Sequence, residues 1–407
     1  VIAPRIEVTA RDAQGNTATG FTGGVTVAIG INPSGGILSG TTTAAAVGGI
    51  ASFSTLSIDQ PGVGYTLTAT AVGPAGATSA VFDVSASLVT QLVFTRQPSS
   101  ATAGAVITPS VRVTARNSSG QTETSFTGNV TLTITAGTGT AGSTLSGATT
   151  MAAVAGVANF ATLNIDNSGS GFRLSATASG LSGAVSAPFT INAGPPTRVT
   201  FSVQPASTTA AATIPGVSGG TVQATVRDVL GNPVKIFTGN VSVALLTNPS
   251  GGVLSGTTTV AAVAGIATFN NLSIDRSGNG YRLDVSSAGL ASDTSDAISI
   301  TGGAATQLLF TVQPSNTAAN APITPPIRVT ALDALGNVAT SFTGTVTLMI
   351  GTNPAGGTLT GTTAVAAVGG VATFSSPLSI NNAGVGYRLT ASAGGVTAAT
   401  SALFNIN

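Results

Sequence analysis

The stretch "SIDQPGVGYTL", residues 57–67, sets an acid, a run of turn formers and a tyrosine in a row. It returns as "NIDNSGSGFRL" at 164–174, "SIDRSGNGYRL" at 273–283 and "SINNAGVGYRL" at 379–389. A site and a fold corner would both repeat in this way. Phe172 decides between them, because it keeps the ring of Tyr65, Tyr281 and Tyr387 and loses the hydroxyl, which a packing residue tolerates and a catalytic tyrosine does not. The segment therefore reads as a corner in which the aromatic ring enters a strand and its hydroxyl, where present, bonds nearby backbone and pins a crossover between two sheets. Asp59, Asp166, Asp275 and Asn381 then read as turn residues whose side-chain oxygens accept local backbone N–H bonds.

Around this corner the pattern has a period of two. Ile6, Val8 and Ala10 alternate with Arg5, Glu7, Thr9 and Arg11, and Tyr387, Leu389 and Ala391 alternate with Arg388, Thr390 and Ser392. Such alternation predicts half-buried strands, and no stretch combines helical periodicity with caps. The landmark "FTG" begins at Phe21, Phe126, Phe237 and Phe342, spacings of 105, 111 and 105 residues. That period is a whole domain, longer than a solenoid repeat, so each copy can bury its own core. A second landmark, "QLVFTRQP" at 91–98, recurs as "RVTFSVQP" at 198–205 and "QLLFTVQP" at 307–314 and marks the copy starts. The expected units are residues 1–86, 87–193, 194–302 and 303–407, joined by short glycine- and proline-bearing joints into a semi-rigid rod. About seven strands per copy, separated by Gly, Pro, Asn and Asp turns, give an all-β fold, a tandem array of four immunoglobulin-like β-sandwich domains. A barrel with the same strands is the alternative.

Composition narrows the chemistry. Only 13 basic and 12 acidic residues occur among 407, for a net charge of +1, so no basic stripe exists for nucleic acid or anionic membranes. Histidine, cysteine and tryptophan are absent and Lys235 is the only lysine, which removes the usual general bases, thiol nucleophiles and soft metal ligands. We therefore expect no enzyme and assign no catalytic residue; carboxylate-only chemistry is the one route left open. No apolar run is long enough to span a membrane as a helix, and zero cysteine shifts stability onto packing.

The turn motifs "ARDAQGN" at 10–16, "VRDVLGNPV" at 226–234 and "ALDALGN" at 331–337, followed in order by apolar strands, "GIATF" at 265–269 and "GYRL" at 280–283, resemble the bacterial immunoglobulin-like tandem repeats of the invasin and intimin type. The likeness runs through all four copies. It implies a surface adhesin or extracellular fibre, hence an extracellular or cell-surface location and a structural stalk giving length, stiffness and presentation. The resemblance supplies no active site. An adhesin binding glycan or host protein through domain-end loops, and a phage-encoded surface decoration, are the alternatives.

Other candidates are weaker. Asp166 and Asp228, and likewise Asp275 and Asp333, could face each other across joints and share calcium, but two carboxylates per joint is thin for an ion that wants six to eight oxygens. Asn117 stands where the acid opposite Asp59 would be. Arg173, Arg282 and Arg388 recur on the outward side of one strand, interrupted by Thr66, and read as solvated charge. A lysine-to-asparagine isopeptide staple fails in three copies for want of a lysine. Sequons at Asn117, Asn129, Asn240 and Asn271 and plentiful Ser and Thr leave glycans open as modifications. So few charges leave sheet edges without their usual protection, and we expect copies of the chain to associate laterally in a fibre or layer. Finally "VIAPRIEVTARD" at 1–12 aligns with "VITPSVRVTARN" at 106–117, so copy one is expected to lack its first strand. An upstream continuation of the repeat array is the favoured reading, and donation by another chain is its alternative.

Overall fold

The computed structural model describes residues 1–85 and 88–407; the expected boundary at 86/87 lies outside the described residues. Strands carry the whole architecture, relieved among the described residues by one turn of 3-10 helix at Val217–Gly219, in the insertion that lengthens copy three.

Copy three shows the plan. Arg198–Val203, Val222–Arg227 and Ile266–Phe269 form one antiparallel sheet. The facing sheet runs Thr208–Thr209, Ile298–Thr301, Gly278–Ser286, Asn240–Thr247 and Thr259–Ala261, with the first pair parallel. The long strand Gly278–Ser286 buries Tyr281, Leu283 and Val285 and turns the residues between them outward. Asn240–Thr247 does the same with Val241 and Val243. Each sheet thus has one apolar face, and the two faces close on one core, as a sandwich requires.

The buried apolar residues fall into four clusters, each drawn from a single copy. Among the described residues no sheet crosses from one copy to the next. Surface area gives the same partition in numbers. A compact protein of 39.1 kDa would expose about 14,000 Å², and four separate quarter-sized domains about 21,000 Å². The chain exposes 19358 Å², close to the second value, so little surface is shared between copies. Burial alone cannot hold the joints.

Copy one differs from the others in its first sheet. Its first sheet has two strands, Ile6–Thr9 and Ile50–Phe53, where the other copies have three. Ile2, Ile6 and Val8 are only half-buried, whereas their counterparts Ile107, Val111 and Val113 are 1%, 0% and 0% exposed.

Candidate functional site at the joints between copies

The corner residues gather as a unit. Tyr65, Tyr281 and Tyr387 are fully buried, and each hydroxyl donates to the carbonyl five residues upstream, of Gln60, Arg276 and Asn382, at 2.9, 2.9 and 2.8 Å. The rings lie against the last strand: Tyr65 on Phe82, Phe172 on Phe189 and Tyr387 on Phe404, with centroids about 6 Å apart. The glycine at 252 permits this approach, since a Cβ there would stand 2.9 Å from the Tyr281 hydroxyl and from a methyl of Ile274. Phe172 has no hydroxyl to offer, and copy two ties the corner differently. A longer loop brings Thr140, whose hydroxyl donates to the Ser168 carbonyl at 2.7 Å.

The corner acids do not bond local backbone as expected. Asp59, Asp166, Asp275 and Asn381 accept the N–H of Ile37, Thr144, Val253 and Thr358, 22 or 23 residues earlier, at 2.6 to 2.8 Å. A β-strand that pairs with the strand leading into the corner delivers each donor. Only an acceptor is needed, which explains why asparagine serves in copy four.

In copies three and four the turn after Val222–Arg227 and after Ile327–Leu332 supplies the other half of the joint. In copy three the Asp228 carboxylate folds the loop by accepting the Asn232 N–H at 2.8 Å, while Gly231 takes φ +92° at the turn. Its second oxygen accepts the N–H of Gly194, in the segment that links copies two and three, at 2.8 Å. The Asn232 side chain then reaches back into copy two. It donates from Nδ2 to the Asp166 carbonyl at 2.9 Å and accepts at Oδ1 from the Ser168 N–H at 2.8 Å. Copy four repeats this arrangement: Asn337 donates to the Asp275 carbonyl at 2.9 Å and accepts from the Ser277 N–H at 2.9 Å, while Asp333 accepts from Gly303 at 2.9 Å. Asn232 and Asn337 are buried. The same donor and acceptor set, recurring at two joints, is a latch.

Burial works against ionisation of Asp228 and Asp333, but the hydrogen bonds from the linker glycine, the latch amide and the loop backbone outweigh it, and both carboxyls are held below the ordinary aspartate value. Asp12, in the matching loop of copy one, is also lowered, chiefly by the Asn16 N–H.

The structure thus brings Asp166 to the Asp228 loop and Asp275 to the Asp333 loop, but through backbone carbonyls. The carboxylates of Asp166 and Asp275 point to Thr144 and Val253. The Asn232 amide nitrogen stands between Asp228 Oδ2, at 3.0 Å, and the Asp166 carbonyl, at 2.9 Å. Among the described residues no three His, Cys, Asp or Glu side chains come together as a metal site.

Among the described residues, the joint between copies one and two does not repeat the latch. Pro61 occupies the position of Ser168 and Ser277 and has no N–H to give. Gln121 replaces the latch asparagine, and Asn117 replaces the acid and accepts the two loop bonds from Ser119 and Gln121. The sequence signal for the latch was the pairing of Asn with a corner serine; the turn motif alone read as a turn former.

The recurring arginines are not simply solvated. Arg173, Arg282 and Arg388 donate to the carbonyls of Ser186, Ser295 and Ser401 at 2.8 to 2.9 Å, fastening adjacent strands. Beside the Asn232 latch a shallow cleft of about 300 Å³ is lined by Ser168, Ser170, Thr190, Asn192, Lys235 and Ile236 among others. No helix among the described residues is long and apolar enough to cross a membrane.

Fold and joints together define a class: an all-β array of immunoglobulin-like sandwiches with hydrogen-bonded joints. No protein-family model matches the chain, and no curated protein does. Among solved structures it is similar to the Escherichia coli adhesin FdeC, at 15% identity over 78% of this chain and 96% of that one, with a TM-score of 0.35. It is similar also to invasin, a bacterial integrin-binding protein, at 12% identity over 99% and 75% and a TM-score of 0.40. The surface layer protein SbsC, domains 4–9, follows at 16% identity over 98% and 60% and 0.22.

Proposed function

We propose that this chain is a non-catalytic rod of a bacterial extracellular or cell-surface stalk or fibre, whose function is to hold what it joins at a fixed reach. The observation that carries this reading is the repeated latch. Shared area at the joints is small, and interfaces of that kind leave relative domain motion as the default. A pair of partly buried, directed hydrogen bonds at two successive joints, delivered by Asn232 and Asn337, counters that default by fixing orientation.

Lateral self-association is part of the same proposal. The edge strands Thr43–Ala45, Thr150–Ala152, Thr259–Ala261 and Ala364–Ala366 carry no charge, and Val47, Val154, Val263 and Val368 stand 77 to 83% exposed beside them. Uncharged edges without proline or lysine are the ones that recruit further chains.

The test is electron microscopy of the isolated protein. The angles at the two latched joints are expected to be narrowly distributed from particle to particle, with particles aligning side by side as concentration rises. Broad angles at both latched joints would remove the rod; narrow angles without alignment would remove only the lateral part.

A further inference from the structure

Copy two sets two positive charges side by side on one sheet. It holds four arginines, Arg96, Arg112, Arg116 and Arg173, against two acids, Glu123 and Asp166. Both acids are engaged elsewhere, Glu123 with the Ser125 hydroxyl and Asp166 with the Thr144 N–H. Arg96 and Arg112 stand directly opposite each other on the paired strands Val89–Arg96 and Val111–Asn117, and Asn159 on Val157–Phe160 completes the row. Like charges so placed repel. What joins them is one neutral oxygen: Asn159 Oδ1 accepts from Arg96 Nη2 at 3.2 Å, from Arg112 Nε at 3.3 Å and from the Ser110 hydroxyl at 2.7 Å. Arg96 also donates to the Ser110 carbonyl and hydroxyl. Among the described residues no carboxylate lies within ion-pair reach of either arginine; the ion pair that does form is Arg5 with Glu7, in copy one. The other copies do not build this row. Its place is taken by Glu7 and Ser52 in copy one, by Val203, Gln223 and Thr268 in copy three, and by Val312, Arg328 and Thr373 in copy four. A pairing that costs stability and occurs in one of four matching sheets is not required by the fold.

We propose that this row is a binding site for an acidic saccharide of the uronic acid class, whose carboxylate seats on Arg112 and Arg96. Arg112 is exposed, and its two terminal nitrogens make no bond among the described residues, so its guanidinium offers the fork that matches a carboxylate. Asn159 is exposed as well. Its Oδ1 is taken up by the arginines, which leaves Nδ2 to donate to a sugar hydroxyl. Guanidinium, amide and hydroxyl side by side are the match for a carboxylate set among hydroxyls. Arg116 lies on the same face of the strand, four residues along and about 13 Å away, so a chain of such sugars meets a further cation. Exposed ion pairs are individually weak, so one acid group binds weakly and a chain of them more firmly. The site is independent of the rod reading and gives one copy of the rod a ligand of its own.

The test is a titration of the full chain with trigalacturonic acid, followed by nitrogen-edited NMR of the arginine Nε signals, with maltotriose as the uncharged sugar and triglutamate as the acid without sugar. Trigalacturonic acid is expected to shift Arg96 and Arg112 saturably, maltotriose to shift neither, and triglutamate to bind more weakly. Arg112→Gln should weaken uronate binding by about tenfold or more, the loss of one charged hydrogen-bonding group, with unchanged circular dichroism. Arg328→Gln removes the single arginine at this place in copy four and should leave the affinity as it was. No shift up to the solubility limit of the saccharide would overturn the proposal, as would an equal loss from Arg328→Gln. Triglutamate binding as tightly would mean that a carboxylate alone is read and would remove the saccharide. Arginine shifts that grow with protein concentration alone would make the acids of a second copy the occupant and overturn the proposal as well.

Discussion

Replacing Asn232 by alanine should loosen the joint between copies two and three while leaving both copies folded. The side chain makes two bonds across the joint, to the Asp166 carbonyl and from the Ser168 N–H, and one within its own loop, to Asp228 at 3.0 Å. At about 0.5 to 1.5 kcal/mol net for each bond, the two crossing bonds are worth about 1 to 3 kcal/mol to the closed joint. That shifts the balance of closed and open joints by about fivefold to more than a hundredfold. The loop itself keeps the Asn232 N–H bond to Asp228 and its glycine turn, so the copy should remain folded. Because the chain has no cysteine, paired labels can be placed without background, for example by Thr124→Cys and Ser255→Cys, both at exposed positions. Pulsed electron spin resonance would then give the distance distribution across the joint. A narrow distribution in the parent and a broad one with Asn232→Ala is expected, with unchanged circular dichroism. An equally narrow distribution in both would refute the latch.

Three further outcomes follow from the same geometry. Restoring the missing parts of the first joint with Pro61→Ser and Gln121→Asn should narrow the distance distribution between labels in copies one and two; an unchanged width would mean that Asn117 or the linker composition decides that joint. Tyr281→Phe should cost about 0.5 to 1.5 kcal/mol of copy-three stability in denaturant titration, since it removes one hydrogen bond and keeps the buried ring; a loss of several kcal/mol would mean that the hydroxyl organises the corner beyond that bond. Asp228 and Asp333 are held below the ordinary aspartate value of 3.8, so their contribution to stability is complete above that value and is lost as pH falls through the folded-state value. Melting temperature should therefore fall in that acid range, and Asp228→Asn should flatten part of the fall; an Asp228→Asn profile parallel to the parent's would exclude Asp228 as a source.

The sandwich was legible because its signals are local. Alternation at Ile6 to Arg11 and at Tyr387 to Ser392 reports burial directly, and Phe172 among three tyrosines separates packing from chemistry. The corner acids were placed correctly in the chain but given the wrong partners, because their donors, such as Val253 for Asp275, arrive from a loop 22 residues away. The latch was harder still. Asn232 and Asn337 were visible as the last residues of a turn motif, yet their partners lie more than 60 residues back in a different copy, and nothing local distinguishes them from ordinary turn formers. Their only sequence trace is a correlation between copies: asparagine occurs where the preceding corner offers serine, and glutamine where it offers proline. The arginines were misread for a similar reason, since the carbonyl that Arg282 fastens, that of Ser295, lies just past the next strand, Asp293–Thr294, and is invisible to a period-two pattern.

The central claim, that the copies form a rod whose joints between copies two and three and between copies three and four are latched, meets its most direct test in small-angle X-ray scattering of the dilute chain. A compact protein of this length would have a radius of gyration of about 22 Å. The account predicts a value well above that, with the pair-distance profile of a rod, and a shortened profile when Asn232 and Asn337 are both replaced by alanine. A radius near the compact value, or a profile that the double replacement leaves untouched, would contradict it.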